Sequence, residues 1–578
     1  MNNFWKILLG SLLGCLIALG LIFFIFMGSI GTMAAASASK VSAIPSSAIL
    51  KIDFSNSISE KGQSLFSVSS LNNLSMDESM TALSAVRSIE KAAIDPSIKF
   101  IYLNTDNMDV SISIAEELRK ALLDFRQSGK PVIAYANTYS NLSYYLASVA
   151  DKVIINSYGD AMLTGVSTNI VFFKDLLDKL GVEMQLIRHG KYKAAGEQFT
   201  KNHLTDENRE QNQAVVDGIW ASLAEEIVAS RDFSQEQLNS WVDGLELLDA
   251  ESLQERGLVD QCWYTDELED YMCDLFGVND SKKLAFVDLQ SYATLRTNNN
   301  PKAKDKIAVV YADGEIVMDG DDENIIGERL AARLTKLEKD STVKAVVFRV
   351  NSPGGSAQAA EIINRALLNL KATKPVIASY GGYAASGGYW ISANADYIFT
   401  NNTTLTGSIG VFSMIPNIGG GLEKTLKINN GSVSSNKHSD MFSSMRKLDD
   451  AEVAYMEKMV EKVYTNFTEL VAEGRHMPVE KVDEIAQGRV WTGRDALQIG
   501  LADEKGGLLD AINYASAAAG IDNYKLVCVP MPMSLMEKII SKLSGFDEEI
   551  NTSISEKLLK LFDDPKMLYA RMPYQYEF

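Results

Sequence analysis

KPVIASYGGYAASGGYWISANADYIFT, Lys374–Thr400, decides how the chain is read. It opens on an apolar run, passes a serine, Ser386, set among small residues and glycines, and closes on a second apolar run. An earlier stretch repeats its outline: KPVIAYANTYSNLSYYLASVADKVII begins at Lys130, an offset of 244 (374 against 130). VKAVVFR from Val343 answers IKFIYLN from Ile98 at an offset of 245. LTG at Leu405 answers LTG at Leu163 at 242, and the Gly-Leu pair at Gly500 answers the one at Gly257 at 243. A near-constant offset over so many residues means two copies of one domain. We expect them at residues 46–297 and 304–530, joined by a linker at 298–303 within NNNPKAK. Residues 1–45 precede them, and residues 531–578 form a tail with an amphipathic, helical pattern from Ser534 to Leu561.

Within each copy, short β-rich apolar runs alternate with helical periodicity. VKAVVFRV predicts a buried strand, QAAEIINRALLNLKA a helix with apolar residues at helical spacing, and KPVIASY the next strand. Strand, helix and strand at this spacing predict βαβ units and a largely parallel sheet, an α/β fold. Longer helices are expected over Asp206–Ser230 in the first copy and Asp449–Gly474 in the second.

The copies differ where chemistry would sit. Ser386 corresponds to Leu142, and the PGG of NSPGGS, Pro353–Gly355, corresponds to Met108, Asp109 and Val110. Glycines needed only for packing would be wanted in both copies. Their restriction to the second favours a functional reading, in which bare backbone N–H groups lie beside a nucleophile. A serine nucleophile needs a base. GKYKAAGEQF, Gly190–Phe199, offers Lys191 and Lys193; NKHSDMF, Asn436–Phe442, offers Lys437, which matches Lys193 at an offset of 244. A lysine can serve if burial lowers its pKa toward neutrality.

Composition removes other classes. The chain has 578 residues, 46% of them hydrophobic, and a net charge of −20, which argues against a nucleic-acid binder. Its four histidines and four cysteines form no metal-ligating motif, so no metal or cofactor is expected. Cys262 and Cys273 are either a disulfide or two free thiols. Ile7 to Met33 carries no charge and, at ~1.5 Å per residue, exceeds the ~30 Å hydrocarbon core. This run is longer than a signal-peptide core of about 7–15 residues. A single spanning helix is expected, with the short N-terminus inside and the large domains outside.

NSPGGS, YAASGGYW, TLTGSIG and GKYKAAGEQF together resemble the signal peptide peptidase (SppA) family in its long, two-repeat, membrane-anchored form. The resemblance covers nearly the whole chain and implies two tandem ClpP/crotonase-like repeats. It implies a serine endopeptidase with a Ser–Lys dyad, here Ser386 and Lys193. Gly354 or Gly355, with Gly387, would face the oxyanion, and Ser408 would hold the lysine amine. Lys437 remains the alternative base, because single-repeat members draw their lysine from the same kind of domain as the serine. The resemblance also implies remnant signal peptides and other unfolded or hydrophobic peptides as substrates. It further implies a homotetramer and a place on the extracytoplasmic face of the inner (cytoplasmic) membrane. A crotonase-like acyl-transfer enzyme and a non-catalytic membrane scaffold are the rival classes.

Overall fold

The computed structural model describes residue 14 and residues 44–572, apart from 63, 71–72, 297–299, 301, 321–322 and 531–567. The expected spanning helix and the expected helix of the tail lie outside the described residues. Among the described residues, no helix is long and apolar enough to cross a membrane.

Each copy is built on a mainly parallel sheet with the same strand order. In the first it runs Gln261–Cys262, Lys152–Met162, Val132–Ser140, Ile98–Asn104, Ala48–Ile52, Phe286–Asp288, all parallel. In the second it runs Glu504–Lys505, Tyr397–Thr400, Val376–Ala385, Val343–Ser352, Asp305–Asp313, Tyr524–Val529, again parallel. Leu405–Gly407 continues along Val376–Ala385, and Val490–Thr492 pairs with it antiparallel.

Local sequence explains the helices that support these sheets. Ala357–Lys371 starts at Ser356, whose Oγ accepts from the Ala359 N–H at 3.3 Å. Ala359, Ala360, Ile363, Leu367 and Leu370 lie on its buried face, against the strand residues Val346, Phe348 and Val350. The long helices span Asp206–Val228 and Asp450–Arg475; the second opens on a capping box between Asp449 and Glu452.

A third sheet stitches the copies together. Its order is Ile325–Ile326, Ile316–Val317, Gly354–Ser356, Tyr569–Arg571, Val411–Asn417, Glu183–His189. The last strand belongs to the first copy and pairs antiparallel with Val411–Asn417 of the second, from Val411↔His189 to Asn417↔Glu183. Tyr569–Arg571 lies in the tail, so the tail is not helical throughout. Its backbone completes the edge that Gly354–Ser356 would otherwise leave unpaired.

A buried ionic cluster also bridges the copies. Arg349 of the second copy donates through Nε and Nη2 to both Glu60 oxygens at 2.9 Å and through Nη2 to Glu117 Oε1 at 2.7 Å. Its Nη1 donates to Ser379 Oγ and the Tyr380 carbonyl, both at 2.9 Å. Burial works against its charge, and the Glu117 and Glu60 carboxylates outweigh that. Cys262 and Cys273 are free thiols.

Candidate active site

Ser386 stands between the strand Val376–Ala385 and the short helix Gly387–Trp390. Its backbone has φ 55° and ψ −115°, outside the regions open to most L-residues. The turn is held on both sides: Ser386 N–H donates to the Gly407 carbonyl at 2.8 Å, and Trp390 N–H donates to the Ser386 carbonyl at 2.8 Å. The sequence leads one to expect an exposed Oγ at such a turn. Instead the residue is fully buried. Lys193 packs against the hydroxyl, and the strand Tyr569–Arg571 crosses the neighbouring glycines.

Lys193 comes from the first copy, on the loop that follows the strand Glu183–His189. Its Nζ lies 2.7 Å from Ser386 Oγ, 3.0 Å from the Ser408 carbonyl oxygen and 3.1 Å from Ser408 Oγ. Burial alone drives its pKa well below the ordinary lysine range. The loop is pinned from several directions. Arg188 Nη1 donates to the Lys193 carbonyl at 2.7 Å and to Glu197 Oε1 at 2.8 Å. Glu197 also accepts from Thr205 Oγ1 at 3.0 Å and Asn208 Nδ2 at 2.9 Å. Tyr192 N–H donates to the Gln487 carbonyl at 2.9 Å, tying the loop to the second copy.

The glycines make this approach possible. A Cβ on Gly488, whose φ is +77°, would stand 2.5 Å from Lys193 Cβ, and one on Gly410 would stand 3.2 Å from Lys193 Cδ. Gly410 closes the TLTGSIG motif, whereas Gly488 did not announce itself in the sequence; it follows the helix Val479–Ile485 and lies far along the chain from both Lys193 and Ser386. On the other side of Ser386, a Cβ on Gly354 would sit 2.7 Å from the Gly387 nitrogen, and one on Gly387 would sit 3.1 Å from the Gly355 nitrogen. The Gly355 and Gly387 peptide groups therefore converge next to residue Ser386. The Gly354 N–H is directed to Ser352 Oγ at 3.2 Å.

The remaining candidates lie elsewhere. Lys437 is exposed, in an irregular segment, and Lys191 is exposed with its amine over the Tyr192 ring. In the first copy, Leu142 stands buried at the place of Ser386, Met108 and Val110, at the places of Pro353 and Gly355, pack against the core, and Asp109, at the place of Gly354, is exposed. His438, Asp449 and Glu452 approach one another as cation ligands would. The Arg446 guanidinium already donates to both Glu452 oxygens, at 2.7 and 2.8 Å, and supplies the positive charge there.

Peptidase family S49 matches residues 124–279 and 369–522, one segment in each copy, and the Clp protease family matches residues 298–404. Protease 4 of Haemophilus influenzae is 36% identical over 466 residues, covering 78% of this chain and 74% of that protein. Protease 4 of Salmonella typhi is 34% identical over 476 residues, 80% of this chain and 75% of that one. The chloroplastic serine protease SPPA of Arabidopsis thaliana is 32% identical over 466 residues, 79% of this chain and 68% of that protein.

Proposed function

Because the chain belongs to peptidase family S49 and is a serine peptidase, we propose that Ser386 of the second copy attacks the peptide carbonyl while Lys193 of the first acts as its base. The observation that carries this reading is the 2.7 Å separation of Lys193 Nζ and Ser386 Oγ. A neutral amine has two N–H donors and one lone pair. The two donors suit the Ser408 carbonyl and Ser408 Oγ, which leaves the lone pair for the Ser386 O–H. Lys193 takes that proton as Oγ attacks and returns it to the leaving amine; water then releases the acyl group by the same route. Gly355 and Gly387 N–H groups stabilise the oxyanion. Ser408 is a positioning residue: its φ of 49° turns both of its oxygens onto the amine.

The reading extends to the rest of the chain. Residues 46–297 form a repeat that supplies the base, residues 304–530 form a repeat that supplies the nucleophile, and both are ClpP/crotonase-like. The charge-free run from Ile7 to Met33 anchors the enzyme in the inner membrane with the catalytic domains on the extracytoplasmic face. Its substrates are remnant signal peptides and other unfolded or hydrophobic peptides, and it works as a homotetramer without a cofactor. Detergent dependence of the full chain, set against solubility after deletion of residues 1–40, tests the anchor.

The dyad is tested by hydrolysis of an unstructured peptide and by labelling with a fluorophosphonate. Ser386→Ala and Lys193→Ala are expected to lose activity by several orders of magnitude, while Lys437→Ala keeps it. An active Lys193→Ala beside an inactive Lys437→Ala overturns the shared site.

A further inference from the structure

We infer that the segment Leu568–Met572 is a built-in occupant of the substrate cleft, a strand that competes in cis with peptide substrates. This inference rests on the assignment of Ser386 and its neighbouring glycines as the reacting centre.

The strand Tyr569–Arg571 runs antiparallel to Gly354–Ser356 in the register Gly354↔Arg571, Gly355↔Ala570, Ser356↔Tyr569. Two bonds flank it: Met572 N–H donates to the Pro353 carbonyl at 2.6 Å, and Ala357 N–H donates to the Leu568 carbonyl at 3.1 Å. Hydrogen-bonded pairs alternate along an antiparallel ladder. The pair between those two, Gly355 and Ala570, is therefore a hydrogen-bonded one, with the Gly355 N–H aimed at the Ala570 carbonyl. That carbonyl oxygen lies 2.0 Å from where a Cβ on Gly354 would stand and 2.9 Å from where one on Gly387 would stand. A side chain at either position would strike the strand. The Ala570 carbonyl thus sits at the point where the Gly355 and Gly387 peptide groups converge, the place a scissile carbonyl must take.

Side-chain packing agrees with the backbone. Ala570 is 0% exposed, and Met572 is 4% exposed in a cluster with Ala385, Leu405 and Val490, next to the nucleophile. Ser386 and Lys193 are both 0% exposed. A nucleophile so enclosed meets no substrate until something withdraws. On its far side the strand meets Val411–Asn417 through Phe412↔Tyr569. The segment therefore fills the slot between two strand edges. An extended substrate peptide would recognise the enzyme through the same main-chain bonds to Gly354–Ser356. The two cannot be bound together.

A tethered segment acts at an effective concentration of about 1 mM. If a free pentapeptide of this sequence binds at about 0.1 mM, the tether weakens substrate capture about tenfold. Deleting residues 568–578 should then raise kcat/KM about tenfold, chiefly through KM, and the peptide LYARM should inhibit the deleted enzyme competitively. Ala570→Trp supplies a second route, since an indole cannot enter a fully enclosed alanine site; it should activate in the same direction in the full-length chain. If both variants are active and Ser386-dependent but stay within twofold of wild-type kcat/KM, or if LYARM does not compete with substrate, the inference is wrong. Activity that survives Ser386→Ala would instead strike the assignment of the reacting centre, so the two failures are distinguishable.

Discussion

Gly488→Ala offers a sharp test of how Lys193, the proposed base, is held, because it changes no group of the proposed chemistry. Gly488 has φ +77°, and a Cβ there would stand 2.5 Å from Lys193 Cβ, 2.6 Å from its nitrogen and 2.7 Å from its Cα. Ordinary contact between such atoms needs about 3.5 Å, so the lysine loop must retreat by roughly 1 Å. It cannot do so freely, since Tyr192 N–H is bonded to the adjacent Gln487 carbonyl and Arg188 holds the Lys193 carbonyl. A retreat of that size would stretch the 2.7 Å contact between Nζ and Ser386 Oγ beyond hydrogen-bond reach. A misplacement of about 1 Å costs on the order of 100-fold in rate. The left-handed backbone adds about 1–2 kcal/mol of strain to the fold. We therefore expect Gly488→Ala to remain folded by circular dichroism, to melt a few degrees lower, and to hydrolyse peptide with kcat reduced about 100-fold. A kcat within threefold of wild type in a folded protein would refute the claim that Gly488 makes room for the base.

Two further predictions concern pH. Lys193 is a base whose folded pKa lies well below its unfolded value because of burial, so the unfolded chain binds the extra proton and stability rises with pH across that window. Lys193→Met should raise the melting temperature, and the gain should grow as pH falls from about 10 toward the folded pKa; a gain that is flat with pH would contradict a neutral buried amine. Glu116 shows the opposite case: burial first, then Glu226, push its carboxyl up to about 8. A raised acid contributes stability below its unfolded pKa and loses it as pH climbs through the folded value. Glu116→Gln should therefore stabilise the protein at pH 8–9 and leave it unchanged near pH 4, as read by thermal melts.

Sequence and structure agree best where a short-range signal exists. Helical periodicity in QAAEIINRALLNLKA marks Ala357–Lys371, and the expected Asp449–Gly474 stretch overlaps the helix Asp450–Arg475 almost entirely. The repeat offset brings out the matching strand orders of the two sheets. Ser386 stands out because its glycine surroundings are missing around Leu142. What the sequence does not carry is long-range. Nothing in MQLIRH marks a strand that pairs across the repeats, since its alternation fits any edge strand. The burial of Lys193 depends on Gly488 and Gly410, each hundreds of residues away. Residues 569–571 are too few to signal a strand, and their pairing with Gly354–Ser356 is fixed by a place in space that no local pattern encodes.

The exposure of Lys437 and the burial of Lys193, at matching positions of two copies, have one physical origin. The loop bearing Lys193 is delivered by Glu183–His189, and a strand needs an edge to pair with. That edge is Val411–Asn417 of the second copy, which gives its ladder to the first. The segment of the second copy equivalent to Glu183–His189 covers residues 427–433, and it is irregular and exposed. The first copy's counterpart of the receiving edge, residues 167–173, is irregular as well, so it presents no ladder for the second copy's segment to join. One cross-pairing is made and the reciprocal one is not. The first copy, without a counterpart of Ser386 and its glycine loop, is thus the donor of a strand and of the Lys193 amine, and the second is the acceptor of both. A fragment holding the second copy alone would keep Ser386 and its glycines but would leave Val411–Asn417 without that partner and the hydroxyl without an amine.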